Sequence, residues 1–236
     1  MTITRATSAP VPESARSVLL FGGSFDPPHN AHFQLPELVR SHLALDHILY
    51  IPAARSPHKK DAPSAPPQLR VAMLRAGLEA NPRAAVWTAE LDRARDNPGA
   101  PSFTIDTIRE LRRQRPHLAL RLLIGADQAL SFHKWREPGE IIRLAPPAVM
   151  LRGDNHAGHP AAHLINDLAS IWGNDQARRW AARIVPVPML DLNATQIRSA
   201  LSHWAPGTPP PDACIRGLPP AVLDLLSANN PYRAVM

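Results

Sequence analysis

The sequence predicts a doubly wound α/β fold, a parallel sheet with helices on both faces and a small helical part at the C-terminal end. Three observations carry this prediction. Short apolar runs alternate with segments of helical periodicity along the chain. Of 236 residues, 44% are hydrophobic, enough for one full core. The first apolar run stops at a glycine pair that leads into a helix, and parallel sheets open their ligand crevice at such strand ends.

Each element has its own signal. Residues 1–16 mix Thr, Ser, Pro and Ala with Arg5, Glu13 and Arg16, and lack a leader's apolar stretch. They are expected to form a disordered tail. Ser17 to Phe21 is a buried strand stopped by Gly22-Gly23. Asn30 to Leu43 has helical spacing, with Phe33, Leu35, Leu38 and Val39 apolar. Pro36 inside it removes an N–H, so a kink or a late start is expected. Asp46 to Ile51 is a second strand, closed by Pro52. Residues 61–67, rich in Pro, Ser and Ala, form a loop. Gln68 to Ala80 reads as a helix whose Leu69, Ala72, Met73 and Ala76 make a core face and nothing more. Val86 to Leu91 is expected as a third strand. Phe103 to Arg113 is helical, with Ile105, Ile108 and Leu111 at the right intervals. Leu118 to Ile124 is a strongly apolar strand ending at Gly125. Helical turns lead through Leu144 to a strand at Ala148 to Leu151. His163 to Ala182 is mostly helical, Ile184 to Val187 is another strand, and Asn193–Trp204 and Pro219–Ala228 close the chain as helices. The expected organisation is a tail over 1–16, a core over 17–190, and a helical C-terminal subdomain over 191–236 that completes the site. No internal repeat is present.

Composition excludes several classes. The only cysteine, Cys214, cannot form an intramolecular disulfide, which fits a reducing, cytoplasmic compartment. No apolar run approaches the roughly 20 residues of a membrane span. Lys and Arg number 26 against 20 Asp and Glu, for a net charge of +6. The basic residues are mostly Arg, scattered and mixed with acids, as in Asp92-Arg93-Ala94-Arg95-Asp96. No contiguous basic run tracks a nucleic-acid backbone, so no nucleic-acid partner is expected. Arg suits bidentate phosphate binding, so a polyphosphate substrate remains open. His156, His159 and His163 lack neighbouring Cys or paired carboxylates and are not expected to hold a metal.

The strongest signal is the loop Gly22-Gly23-Ser24-Phe25-Asp26-Pro27-Pro28-His29-Asn30-Ala31-His32. Glycines let the backbone approach a phosphate, and a helix start offers unpaired N–H groups and a positive dipole end. His29 and His32, three apart across that start, can face one side. Two imidazole donors at a helix N-terminus suit a phosphate whose charge grows during reaction. The spacing fits neither G-x-x-x-x-G-K-[ST] nor G-x-G-x-x-G.

This segment resembles the nucleotidyltransferase signature (H/T)-x-G-H preceded by G-x-F-D-P. Pro57-His58-Lys59, Pro101-Ser102-Phe103-Thr104-Ile105-Asp106-Thr107, Ile124-Gly125-Ala126-Asp127-Gln128 with Phe132 and Trp135, and Asn193-Ala194-Thr195-Gln196-Ile197-Arg198 follow in order, and Pro231-Tyr232-Arg233 matches a usual ending. Together they resemble the bacterial nicotinate-nucleotide adenylyltransferase family from about Val18 to Arg233. The resemblance implies a Rossmann-like core and adenylyl transfer from ATP, with Mg²⁺, to nicotinate mononucleotide. It implies that His29, His32 and Arg198 act on the ATP phosphates. Gly22, Gly23, Ser24, Phe25, Lys59 and Thr195 would complete the ATP site. Ser24, Phe25, Thr104, Asp127 and Trp135 would contact the mononucleotide, Trp135 by stacking on its ring. No protein side chain is expected to bind metal. The alternatives are the same chemistry on nicotinamide mononucleotide or phosphopantetheine, and a nucleotide-binding regulator without turnover. The T-x-G-H usual in the phosphopantetheine relative is not matched by His29. Three departures stand out. Ala31 replaces the usual Gly and is expected to crowd the adenine or shift the helix; Pro36 lies within the helix; Asn193 replaces the usual Ser yet can still cap.

Overall fold

The computed structural model describes residues 8–54, 64–99, 101–151, 160–188, 190 and 192–233. Its centre is β1 (Ser17–Gly23), flanked by β2 (His47–Pro52) and β4 (Ala119–Gly125). β3 (Ala84–Val86) and β5 (Pro147–Met150) form the edges, in the order β3-β2-β1-β4-β5. Every pairing is parallel, as expected for apolar runs joined by helical crossovers.

Alternation along the strands divides the core. Leu20, Leu49, Ile51, Leu122 and Ile124 join one cluster with helices α4 (Thr104–Gln114), α5 (Ala126–Ser131), α6 (Pro138–Leu144), α7 (Pro160–Trp172) and α8 (Asn174–Ala181). Leu19, Phe21, Ile48, Tyr50 and Leu123 join another with α1 (Asn30–His42) and α2 (Pro67–Leu78). Burying each such Leu or Ile contributes about 1.5–3 kcal/mol. The helices α9 (Ala194–Ser202), α10 (Asp212–Gly217) and α11 (Pro220–Ala228) build a third cluster around Leu201, Cys214 and Leu226, which Met73 of α2 joins.

Several expectations are corrected. Residues 8–16 are not a loose tail. Val11 and Ala15 are buried in the core, and Arg115 donates to the carbonyls of Val11 (2.8 Å) and Pro12 (2.9 Å). The segment's polar and Pro-rich composition hides its two anchoring apolar side chains. The third strand ends at Val86, and helix α3 (Ala89–Asp96) begins within the stretch read as strand and takes its last three residues. An edge position with only three paired residues ends β3 early. Residues 184–187 make a single bridge, Val149 to Ile184, rather than a strand. Residues 163–182 are mostly helical, as expected, in two helices separated at Gly173, whose φ of +79° suits glycine. Helix α1 starts at Asn30 and runs through Pro36, so no late start occurs.

Asp46, just before β2, accepts from the N–H groups of Arg16 (2.8 Å) and Ser17 (2.9 Å). The Arg16 backbone N–H, followed by the Ser17 hydroxyl, holds its carboxyl below the ordinary value. Because the folded value is depressed, the stabilisation is present above the unfolded value of about 4 and is lost as pH falls through the folded one. Asp46→Asn is therefore expected to lower the urea midpoint at neutral pH, and the gap from the parent should narrow at about pH 3. An equal gap at both pH values would show that the carboxylate charge is not the cause.

Candidate active site

The strand order reverses beside β1, between β1 and β4, which places the crevice at their C-terminal ends. β1 ends in Gly22-Gly23 at that position. A Cβ on Gly23 would stand 3.0 Å from the Phe25 ring, so any larger residue there would press the ring out of its present place. Phe25 itself has φ +49° and is buried, its ring packed edge-on against Phe21 (5.4 Å) and His32 (5.3 Å). A bulky residue in left-handed backbone is strained, and tertiary contacts must hold it.

Those contacts come from distant parts of the chain. The Ser24 carbonyl accepts from Arg70 Nη1 at 2.6 Å, and Arg70 lies fully buried in α2. Burial pulls this guanidinium below its ordinary value, and the charge on Asp26 partly offsets it. The face of α2 thus carries one buried cation among its apolar residues, correcting the expectation of a bare core face. The Asp26 carboxylate accepts from Ser64 N–H (2.7 Å), Ala65 N–H (3.0 Å) and the Tyr232 hydroxyl (2.7 Å). Burial, then the charge on Asp26, pushes the Tyr232 phenol up, which keeps it a donor.

His29 precedes α1 as its N-cap, and His32 lies one turn in, with ring centroids 3.7 Å apart. The His29 backbone N–H donates to His32 Nδ1 at 3.2 Å. An imidazole that accepts at Nδ1 carries its proton on Nε2 when neutral, so His32 offers an Nε2–H donor. The His32 carbonyl accepts from the Tyr50 hydroxyl at 2.9 Å. Asn30 anchors the helix start by donating to the Arg216 carbonyl of α10 at 2.8 Å.

Arg198 reaches the same loop from α9. Its Nη1 donates to the Asp26 carbonyl (2.8 Å) and its Nη2 to Thr195 Oγ1 (3.1 Å). Asn193 caps α9, accepting from Gln196 N–H at 2.8 Å, as expected of an amide in place of Ser. Ala31 is 8% exposed and packs in the cluster with Leu35 and Val39.

The other residues gather at the end of β4. Asp127, in the first turn of α5, is exposed, and Gln128 Oε1 accepts from the Gly125 N–H (3.0 Å) in its stead. Trp135 is half-buried, its ring centroid 4.9 Å from Phe132. The guanidinium of Arg136 lies 4.8 Å over the Phe103 ring, which brings the Trp135 segment beside Thr104, the first residue of α4. A buried network braces that turn: Arg93 pairs with Glu110 at 2.6 Å and with Thr107, whose hydroxyl reaches Glu90 at 3.3 Å. The structure thus collects Ser24, Phe25, His29, His32, Thr195 and Arg198 around one loop, and Thr104, Asp127 and Trp135 around the next strand. Lys59 lies outside the described residues, as do His156 and His159. Arg70 and Tyr50 escape the sequence reading, and Tyr232 and Asn30 appear there only within motifs, with no role given. A charged or hydroxyl side chain inside an apolar pattern is the signal for the first two.

Comparison with known proteins agrees with this architecture. A cytidylyltransferase-like family model matches residues 20–200. A Chromobacterium violaceum protein described as "probable nicotinate-nucleotide adenylyltransferase" is 34% identical over 223 residues, 91% of this chain and 97% of that protein. A protein of Thermomicrobium roseum with the same description is 35% identical over 184 residues, 78% of this chain and 79% of its own length. Among solved structures, the nicotinic acid mononucleotide adenylyltransferase of Plasmodium falciparum complexed with NaAD superposes with a TM-score of 0.66. It is 14% identical, covers 92% of this chain and 97% of that one, and supports the fold. With two relatives above 30% identity along most of the chain, and the paired histidines seated where the sheet opens, the chain belongs to the nicotinate-nucleotide adenylyltransferase family.

Proposed function

We propose that the crevice transfers the adenylyl group of ATP to nicotinate mononucleotide, giving nicotinate adenine dinucleotide and pyrophosphate in NAD biosynthesis in the cytoplasm. The observation that carries the residue assignment is the meeting of His29 and His32, at the start of α1, with Arg198 through the Asp26 carbonyl. A phosphate oxygen of the mononucleotide attacks the α-phosphorus of ATP. The bond to the bridging oxygen breaks, and pyrophosphate leaves with that electron pair. No protein nucleophile takes part, and Cys214 is buried with its thiol pushed up by burial. Catalysis then rests on alignment and on charge stabilisation. His32 Nε2–H and the His29 ring donate to the phosphates at the positive end of α1. Arg198 adds a cation held at a defined distance by Asp26 and Thr195. Gly22 and Gly23 let the nucleotide approach the backbone, and Ser24 and Phe25 stand between the two substrates. Lys59 covers the phosphates.

Mg²⁺ arrives on the ATP phosphates as part of the substrate. The side chains at the loop fit that role: imidazoles and a guanidinium match phosphate oxygens, while the Asp26 carboxylate is engaged by Ser64, Ala65 and Tyr232. Trp135 stacks on the pyridine ring, Thr104 offers a hydroxyl at its acid end, and Asp127 meets a ribose hydroxyl.

Pyrophosphate release is the test, with ATP and Mg²⁺ and with nicotinate mononucleotide, nicotinamide mononucleotide and phosphopantetheine offered in parallel. Preference for the acid is expected. Release with only another acceptor would move the specificity, and no release from folded, ATP-binding protein would indicate a regulator. Trp135→Ala is expected to raise the KM for the mononucleotide about tenfold, from lost stacking and buried area, with the KM for ATP little changed. Equal increases in both constants would make Trp135 a packing residue.

A further inference from the structure

We infer that Tyr50 is a positioning residue for His32, supplying from the sheet the hydrogen bond that Pro36 removes from the helix. In an unbroken α-helix the carbonyl of residue 32 accepts from the N–H of residue 36. Residue 36 is proline and has no N–H, which would leave the His32 carbonyl without its helical donor. The Tyr50 hydroxyl donates to that carbonyl at 2.9 Å from across the sheet–helix interface. Tyr50 has no measurable exposure and sits in the middle of β2, opposite Phe21 of β1. Its ring is wedged among Phe21 (5.6 Å), Phe25 (5.9 Å) and Phe33 (6.3 Å), so the hydroxyl has little freedom to move away. Burial, then the charge on Glu37, pushes the phenol above its ordinary value, so the group remains an O–H donor at any working pH.

His32 is therefore pinned at two points. The His29 N–H holds its ring through Nδ1, and the Tyr50 hydroxyl holds its backbone. The second pin belongs to the sheet, and not to the helix that carries the histidine. Misplacing a phosphate donor by about 1 Å costs catalysis far more than it costs binding. This inference rests on the proposed role of His32 in adenylyl transfer.

The test is a double-mutant cycle. Tyr50→Phe deletes the hydroxyl and keeps the ring; kcat should fall about tenfold while the KM values for both substrates stay within about twofold, the mark of a lost transition-state contact. Pro36→Ala restores an N–H to the helix, so Tyr50→Phe placed on Pro36→Ala should cost kcat no more than about twofold relative to Pro36→Ala alone. The ¹⁵N shifts of His32 should move in the single Tyr50→Phe variant and return in the double variant, a readout that needs no turnover. An unfolded single variant rescued to a folded, active double variant supports the same conclusion. An equal loss of kcat from Tyr50→Phe with and without Pro36→Ala overturns the inference, as does unchanged kcat in Tyr50→Phe, and as do single and double variants that both fail to fold. If His32→Ala keeps its turnover, the assignment of His32 fails instead, and the ¹⁵N shifts still decide whether Tyr50 holds the histidine.

Discussion

Replacing His32 with alanine is expected to lower kcat about 10²-fold or more, the usual loss when one donor to developing charge is removed. The expectation follows from the tautomer. With Nδ1 accepting from the His29 N–H, the Nε2–H is left as the donor at the positive end of α1. Alanine also frees the His29 N–H, so some of the loss belongs to the neighbouring residue. His32→Asn separates the two contributions, because its side-chain oxygen can take that N–H while the longer-reaching donor is gone. Steady-state pyrophosphate release should find both variants impaired, the asparagine variant somewhat less than the alanine one. An active asparagine variant would reduce His32 to a helix cap, and an active alanine variant would remove it from the chemistry.

Arg198→Ala is expected to lower kcat/KM for ATP about 10²-fold, since a charged hydrogen-bonding group is worth about 1.5–3 kcal/mol or more where water is excluded. Two of its nitrogens are engaged, one with the Asp26 carbonyl and one with Thr195 Oγ1. Its charge is thereby aimed, and its remaining N–H groups are left for phosphate. Lysine should restore only a small part of the loss, because an ammonium cannot reproduce the fork that meets loop, helix and ligand together. Varying ATP and mononucleotide separately is the check. If the KM for ATP holds and only thermal stability falls, Arg198 is a brace between α9 and the β1–α1 loop.

Much of the fold was legible because its signals are local. The apolar runs of β1, β2 and β4, the glycine pair and the periodicities of α1 and α4 each sit within a dozen residues. So did the histidine pair, which one turn of helix places on one side. The rest depended on partners far along the chain. Arg70 reads as an ordinary helix residue until it meets Ser24, 46 residues earlier. Tyr50 reads as a strand residue until Pro36 leaves the His32 carbonyl for it to satisfy. Val86 to Leu91 has β-forming residues at its start, yet the pairing with β2 stops at Val86 and Ala89 opens α3. Val11 and Ala15 were hidden by their polar neighbours, and only the Gln114–Arg115 end of α4 shows why they are held.

The bond between Asp26 and Tyr232 joins residues 206 positions apart, and so it has a meaning in time. At about 5–20 residues per second, a ribosome takes roughly 10–40 s to travel between the two codons. Through that interval Asp26 has only the Ser64 and Ala65 N–H groups as donors. The third donor arrives as a late event in synthesis, so a prematurely terminated product would carry the full signature loop with its Asp26 carboxylate one hydrogen bond short.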